Sequence, residues 1–110
     1  MMTVSKLLEN CSFKEITVAD GDREIDGVYI GDLLSWVMGR AEADNAWITI
    51  MSNVNVIAVA TLVDVSCVIL AEGVTLPDDV LSVARDKGVN VISSELSIYG
   101  VARLLAGILA

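Results

Sequence analysis

The sequence predicts a single three-layer α/β domain over residues 1–110, with a mostly parallel sheet and helices on both faces. Three observations carry this. From Ala46 onward, short Val/Ile-rich runs alternate with capped helical segments, the pattern of βαβ units with right-handed crossovers. Hydrophobic residues make up 55% of the chain but aromatics only 5%, which suits strands buried on both faces. At 110 residues the chain is one domain's worth, able to bury roughly 65% of its unfolded surface.

The elements follow in order. Thr3 to Asn10 reads as a helix capped by Thr3, with Val4, Leu7 and Leu8 on one face. Glu15 to Val18 is a short strand, followed by the Asp/Gly turn ADGDRE from Ala19. Gly27 to Ile30 is a second strand. Asp32 is an N-cap candidate for a helix Leu33 to Met38 that stops at Gly39. Ala46 to Ile50 is a continuous apolar strand. Met51-Ser52-Asn53 turns into a helix Val54 to Val63, which is apolar nearly all round and so is expected to be largely buried. Ser66 to Leu70 is a strand. Thr75-Leu76-Pro77-Asp78-Asp79 opens a helix with a hydroxyl cap, a first-turn proline and two acids at the positive end of the dipole, and Gly88 stops it. Val89 to Ile92 is the last strand, and Ser93-Ser94-Glu95 opens a final amphipathic helix.

Charge and composition exclude several functions. The formal net charge is −8, histidine is absent and the seven basic residues are scattered, so no basic cluster meets a nucleic acid or an anionic membrane surface. Val54 to Ala71 approaches transmembrane length, but Asn55 and Asp64 interrupt it, and a carboxylate near a bilayer centre costs about 3 kcal/mol. Asp64 reads instead as a turn residue. Cys67 sits in an apolar run and is expected in the core. With only Cys11 to accompany it and no metal-ligand spacing, neither a disulfide framework nor a metal site is expected. No cofactor is implied. The start carries no signal peptide, and a reduced cytoplasm is the expected compartment. Trp36, Trp47, Tyr29 and Tyr99 are expected at the core's edge with their polar atoms wet.

Ligands of open parallel sheets bind beyond the carboxyl ends of the strands. That rule designates a rim: Gly31 and Asp32; Met51, Ser52, Asn53 and Asn55; Glu72, Gly73 and Thr75; Ser93, Ser94 and Glu95. Asp32, Ser52, Asn53, Asn55, Glu72, Gly73, Thr75, Ser93 and Ser94 are the candidate ligand-binding residues. Each also suits a helix-capping or turn role. These rim residues include no Lys, Arg, His or Cys, which leaves no base for a hydroxyl nucleophile and no activated thiolate, and no catalytic residue is assigned. No phosphate-cradling glycine motif appears. Asp32, Glu72 and Glu95 would hold Mg²⁺ only if they converged. A neutral polar ligand, or one carrying an ammonium group or a metal, fits this rim better than a polyphosphate.

The stretches GVYIGDLLSWVM from Gly27, AWITIMSNVNVIAVATL from Ala46 and VILAEGVTLPDDVLSVARDKGVNVISSELSIYGVARLL from Val68, in that order, resemble the DRTGG domain family. The family is similar to the N-terminal domain of HPr kinase/phosphorylase and occurs beside CBS domains and in bacterial phosphotransacetylases. The resemblance spans about residues 3 to 109. The signature turns have diverged: the position of the Asp-Arg turn reads Met51-Ser52-Asn53-Val54-Asn55, and that of the Thr-Gly-Gly turn reads Ala71-Glu72-Gly73, where only Gly73 matches. The resemblance implies a non-catalytic regulatory or ligand-sensing module acting with a separate signalling or metabolic protein partner. A structural accessory that binds a partner without a small molecule is the alternative. The high apolar fraction and the small residues Gly100, Ala102, Ala106 and Gly107 near the C-terminus further imply a homodimer or larger homo-oligomer.

Overall fold

The computed structural model describes residues 1–109; residue 110, the last of the expected domain, lies outside them. The described elements are α1 (Val4–Leu8), β1 (Lys14–Thr17), β2 (Val28–Ile30), α2 (Leu34–Arg40), β3 (Ala46–Thr49), α3 (Val54–Val63), β4 (Cys67–Leu70), α4 (Asp78–Lys87), β5 (Val91–Ser93) and α5 (Ile98–Leu109). The five strands form one sheet in the order β1-β5-β4-β3-β2. β2, β3, β4 and β5 run parallel, and β1 joins β5 antiparallel, pairing Lys14 with Ser93.

Side-chain alternation divides the core into two layers. Trp47, Val68, Leu70 and Val91 point to one face, where Val37 of α2, Val56 and Ile57 of α3, and Val80 and Ala84 of α4 cover them. Ala46, Ile48, Cys67, Ile69 and Ile92 point to the other, under Val4 and Leu7 of α1 and Val101 and Leu105 of α5. The three crossover helices share a face because each parallel step along the sheet is made with the same hand. The chain changes face twice, between α1 and α2 and again after β5.

The local starts and stops differ from expectation in instructive ways. Thr3 does cap α1, accepting from Lys6 N at 3.2 Å, and Asn53 caps α3, accepting from Asn55 N at 3.0 Å. Asp32, however, does not cap α2. Leu33 holds that position without a side-chain bond, and Gly39 lies inside the helix, which runs on to Arg40. Thr75 is likewise no cap: Pro77 occupies that position of α4, where an extended backbone and a missing N–H suffice. α5 begins at Ile98, later than Ser93-Ser94-Glu95 suggested. Ser97 supplies its first bonds, its carbonyl accepting from Val101 N and its hydroxyl from Gly100 N.

Burial also departs from expectation at two places. α3 is not buried all round: Val54 is 47% exposed and Leu62 71%. Trp47 is fully buried, and its indole N–H donates to the Gly31 carbonyl at 2.9 Å instead of reaching water. Tyr99, by contrast, is 74% exposed and Trp36 52%, with the Arg40 guanidinium 3.8 Å above the Trp36 ring. Cys67 is buried as expected, and burial pushes its thiol pKa up to about 12. Asp64 ends α3 in the left-handed conformation (φ 65°), the turn role read for it. No helix among the described residues is long and apolar enough to cross a membrane.

Two side-chain networks lock the end of the sheet opposite the rim. Arg23 donates to Asp44 Oδ1 from Nε at 3.0 Å and from Nη2 at 2.8 Å, and to the Asp64 carbonyl at 2.7 Å. Burial works against this guanidinium's charge, but its bonds to the Asp44 and Asp64 carboxylates outweigh that and raise its pKa. Asn90, buried, uses its whole hydrogen-bonding capacity: its oxygen accepts from Ala19 N and Asp20 N, and its amide donates to the Asp20 and Ser66 carbonyls.

Candidate functional site

The rim is built from the residues just past β2, β3, β4 and β5. Its first half is held by Asp32. Released from capping, this carboxylate reaches across to β3, where its Oδ1 accepts from Thr49 Oγ1 at 2.5 Å and from Ile50 N at 3.1 Å. The Thr49 hydroxyl in turn accepts from Met51 N at 3.3 Å. The βα turn carrying Ser52, Asn53 and Asn55 is thereby anchored to the end of β2. Apolar side chains frame this half: Leu33 is 57% exposed, Trp36 52%, Ile50 43% and Val54 47%.

The second half is held by the backbone. Glu72 and Gly73 both adopt the left-handed conformation, at φ 61° and 72°. That bend points their amides at the neighbouring turn, where Glu72 N donates to the Leu96 carbonyl and Gly73 N to the Ser94 carbonyl, each at 2.8 Å. Ser94 N donates to the Leu70 carbonyl at 2.9 Å, and Ser94 Oγ accepts from Leu96 N at 3.1 Å. The Glu95 carboxylate folds over Gly73; a Cβ placed there would lie 2.6 Å from Glu95 Oε2. Ser93 and Ser94 are buried, while Glu72 and Thr75 are exposed.

The rim residues therefore fall into two groups. Asp32 is bonded to the strand end that leads into Ser52, Asn53 and Asn55; Glu72 and Gly73 are bonded to the turn of Ser94. The carboxylates of Asp32, Glu72 and Glu95 do not gather: among the described residues no three His, Cys, Asp or Glu side chains are placed to share a metal ion.

A hollow of about 190 Å³ opens beside Ser93, Ser94, Glu95 and Leu96, and its far wall is Cys11, Ser12 and Lys14. A larger one, about 470 Å³, continues along α5 from Ser12 and Leu96 past Gly100, Arg103, Leu104 and Gly107. The sequence-designated rim held no cation, whereas these hollows bring Lys14 and Arg103 to its border. Their approach depends on β1 pairing with β5, a contact between residues 14 and 93 that no local pattern announces.

With this geometry in place, the chain belongs to the DRTGG domain family: the family's model matches residues 23–108. Its fold is similar to part of the structure of the CBS and DRTGG domains of the regulatory region of Clostridium perfringens pyrophosphatase, which was complexed with the activator diadenosine tetraphosphate, at TM-score 0.73 and 15% identity. The likeness covers 93% of this chain and 45% of that one, so the chain spans less than half of that regulatory region. No curated protein matches its sequence.

Proposed function

We propose that this chain is a non-catalytic regulatory module that senses a small polar ligand at the sheet's carboxyl rim and acts with a separate metabolic or signalling protein. The family match over residues 23–108 carries the reading. It is supported by the occurrence of the same fold in a regulatory region that binds a nucleotide activator. The candidate contacts are Asp32, Ser52, Asn53, Asn55, Glu72, Gly73, Thr75, Ser93 and Ser94. Two consecutive left-handed residues and the buried Ser94 fix the backbone of one half of the rim, the pre-organisation a small-ligand site needs.

The apolar frame of the other half, Leu33, Trp36, Ile50 and Val54, favours protein contact there: a partner, or a second copy of this chain in a homodimer or larger homo-oligomer. If that contact were the whole function, the protein would be a structural accessory.

Two variants separate ligand binding from helix capping. Asn53→Ala removes the α3 cap and costs about 1 kcal/mol of stability. Ser94→Ala removes one turn bond at a similar cost of about 1 kcal/mol. A compound found by thermal-shift screening with nucleotides and small metabolites is then titrated by calorimetry. Loss of affinity beyond the stability change in either variant supports the rim site. Wild-type affinity in both refutes it. Light scattering at tens of micromolar tests assembly, and a monomer there refutes self-association.

A further inference from the structure

The groove along α5 is a different kind of place from the polar rim. Its walls are largely apolar, from Leu96, Leu104 and Ile108, and two glycines, Gly100 and Gly107, line it about two helical turns apart. Among the described residues, a Cβ at Gly107 would meet nothing within 4 Å. At about 470 Å³ the hollow is within the range of small-molecule sites.

Its charge is what identifies the occupant. The chain carries a formal net charge of −8 with seven basic residues, yet two of them border this groove: Arg103 in the main hollow and Lys14 in the smaller one that joins it at Ser12 and Leu96. Among the described residues neither takes part in an ion pair; Arg23 makes both that are present. The one acid in the walls, Glu95, has its carboxylate drawn over Gly73. A cation beside an apolar trough complements a molecule with an anionic head and an apolar body, the head taken by Arg103 and Lys14 and the body lying against Leu96, Leu104 and Gly107. We infer that the α5 groove binds a small anionic amphiphile of this kind. The smaller hollow shares Ser93 and Ser94 with the rim, so the inference is tested at Arg103, Lys14 and Gly107, none of which is a rim residue.

The test uses two fluorescent probes that share an apolar body and differ in charge: 1-anilinonaphthalene-8-sulfonate, an anion, and neutral N-phenyl-1-naphthylamine. Gly107→Leu fills the groove while favouring helix, so the fold is retained, as circular dichroism verifies. Both probes are expected to bind wild type and to lose binding in Gly107→Leu. Arg103→Ala and Lys14→Ala are each expected to weaken the anionic probe about tenfold, one charge-assisted contact, and to leave the neutral one unchanged. Displacement of the anionic probe by decanoate identifies an acyl body, and displacement by AMP a planar one. The inference is overturned if the anionic probe does not bind, if Gly107→Leu leaves its binding intact, if the cation variants weaken both probes equally, or if neither competitor displaces it. The rim variant Asn53→Ala, which borders neither hollow, serves as the control and is expected to bind the anionic probe as wild type does, so the two sites succeed or fail separately.

Discussion

Replacing Gly73 by alanine separates two costs that the rim places on one atom. The first is conformational: at φ 72° a side chain crowds the following carbonyl, which costs about 1–2 kcal/mol. The second is steric: the new Cβ would stand 2.6 Å from Glu95 Oε2. These differ in how they relax. Glu95 is exposed and the clashing atom is the tip of its side chain, so the carboxylate swings into solvent for a few tenths of a kcal/mol, of the order of one disfavoured rotamer or less. The backbone has no such escape, because rotating φ would break the Gly73 N–H bond to the Ser94 carbonyl, itself worth about 1 kcal/mol. The conformational cost therefore dominates. Gly73→Ala should lose about 1–2 kcal/mol in urea unfolding, with a melting temperature lower by on the order of 5–10 °C. Adding Glu95→Ala should restore under about 0.5 kcal/mol. An unchanged midpoint in Gly73→Ala, or near-complete rescue by Glu95→Ala, would refute this ranking.

Further outcomes follow from the same structure. Asn90→Asp keeps the shape but turns an acceptor toward the Asp20 and Ser66 carbonyls, so it should cost on the order of 3 kcal/mol near neutrality and less in acid, where a protonated carboxyl donates again; equal losses at both pH values would contradict this. Cys67 keeps its proton in the fold to about pH 12 against an ordinary 9.0, so its contribution is fully present below pH 9 and is lost between the two values at about 1.4 kcal/mol per pH unit. The stability difference between wild type and Cys67→Ala, followed by urea melts across that window, should carry that slope; parallel curves would exclude it. Arg23→Ala should lower stability most at low ionic strength, because its partners Asp44 and Asp64 are half or more exposed and salt screens them.

Much of the architecture was legible because short apolar runs and turn residues report on local structure. Ala46 to Thr49 and Cys67 to Leu70 are buried throughout, as continuous Val/Ile-type runs between helices require. Thr3, Asn53 and Asp64 were read correctly because each acts on a backbone within a few residues of itself. The errors have the opposite character. Asp32 looked like a cap, but a competing partner 17 and 18 residues away, the Thr49–Ile50 corner, claims its carboxylate. Trp47 looked amphipathic, yet a carbonyl at Gly31 satisfies its indole inside the core. The rim looked free of cations, because Lys14 reaches Ser93 only through antiparallel pairing between the first and last strands. Hydrogen-bond competition and strand pairing at long range leave no periodic mark in sequence, and these are the interactions that shape the candidate site.

The central claim, that this domain senses a small molecule, is tested most directly by its melting temperature across a panel of nucleotides and polar metabolites. A ligand present at a hundred times its Kd should stabilise the fold by about 2.7 kcal/mol, on the order of 10–20 °C for a domain of this size. A compound that does so, with an effect that grows with its concentration, is the predicted result. A flat profile across the whole panel, with the protein folded and melting cooperatively, would contradict it.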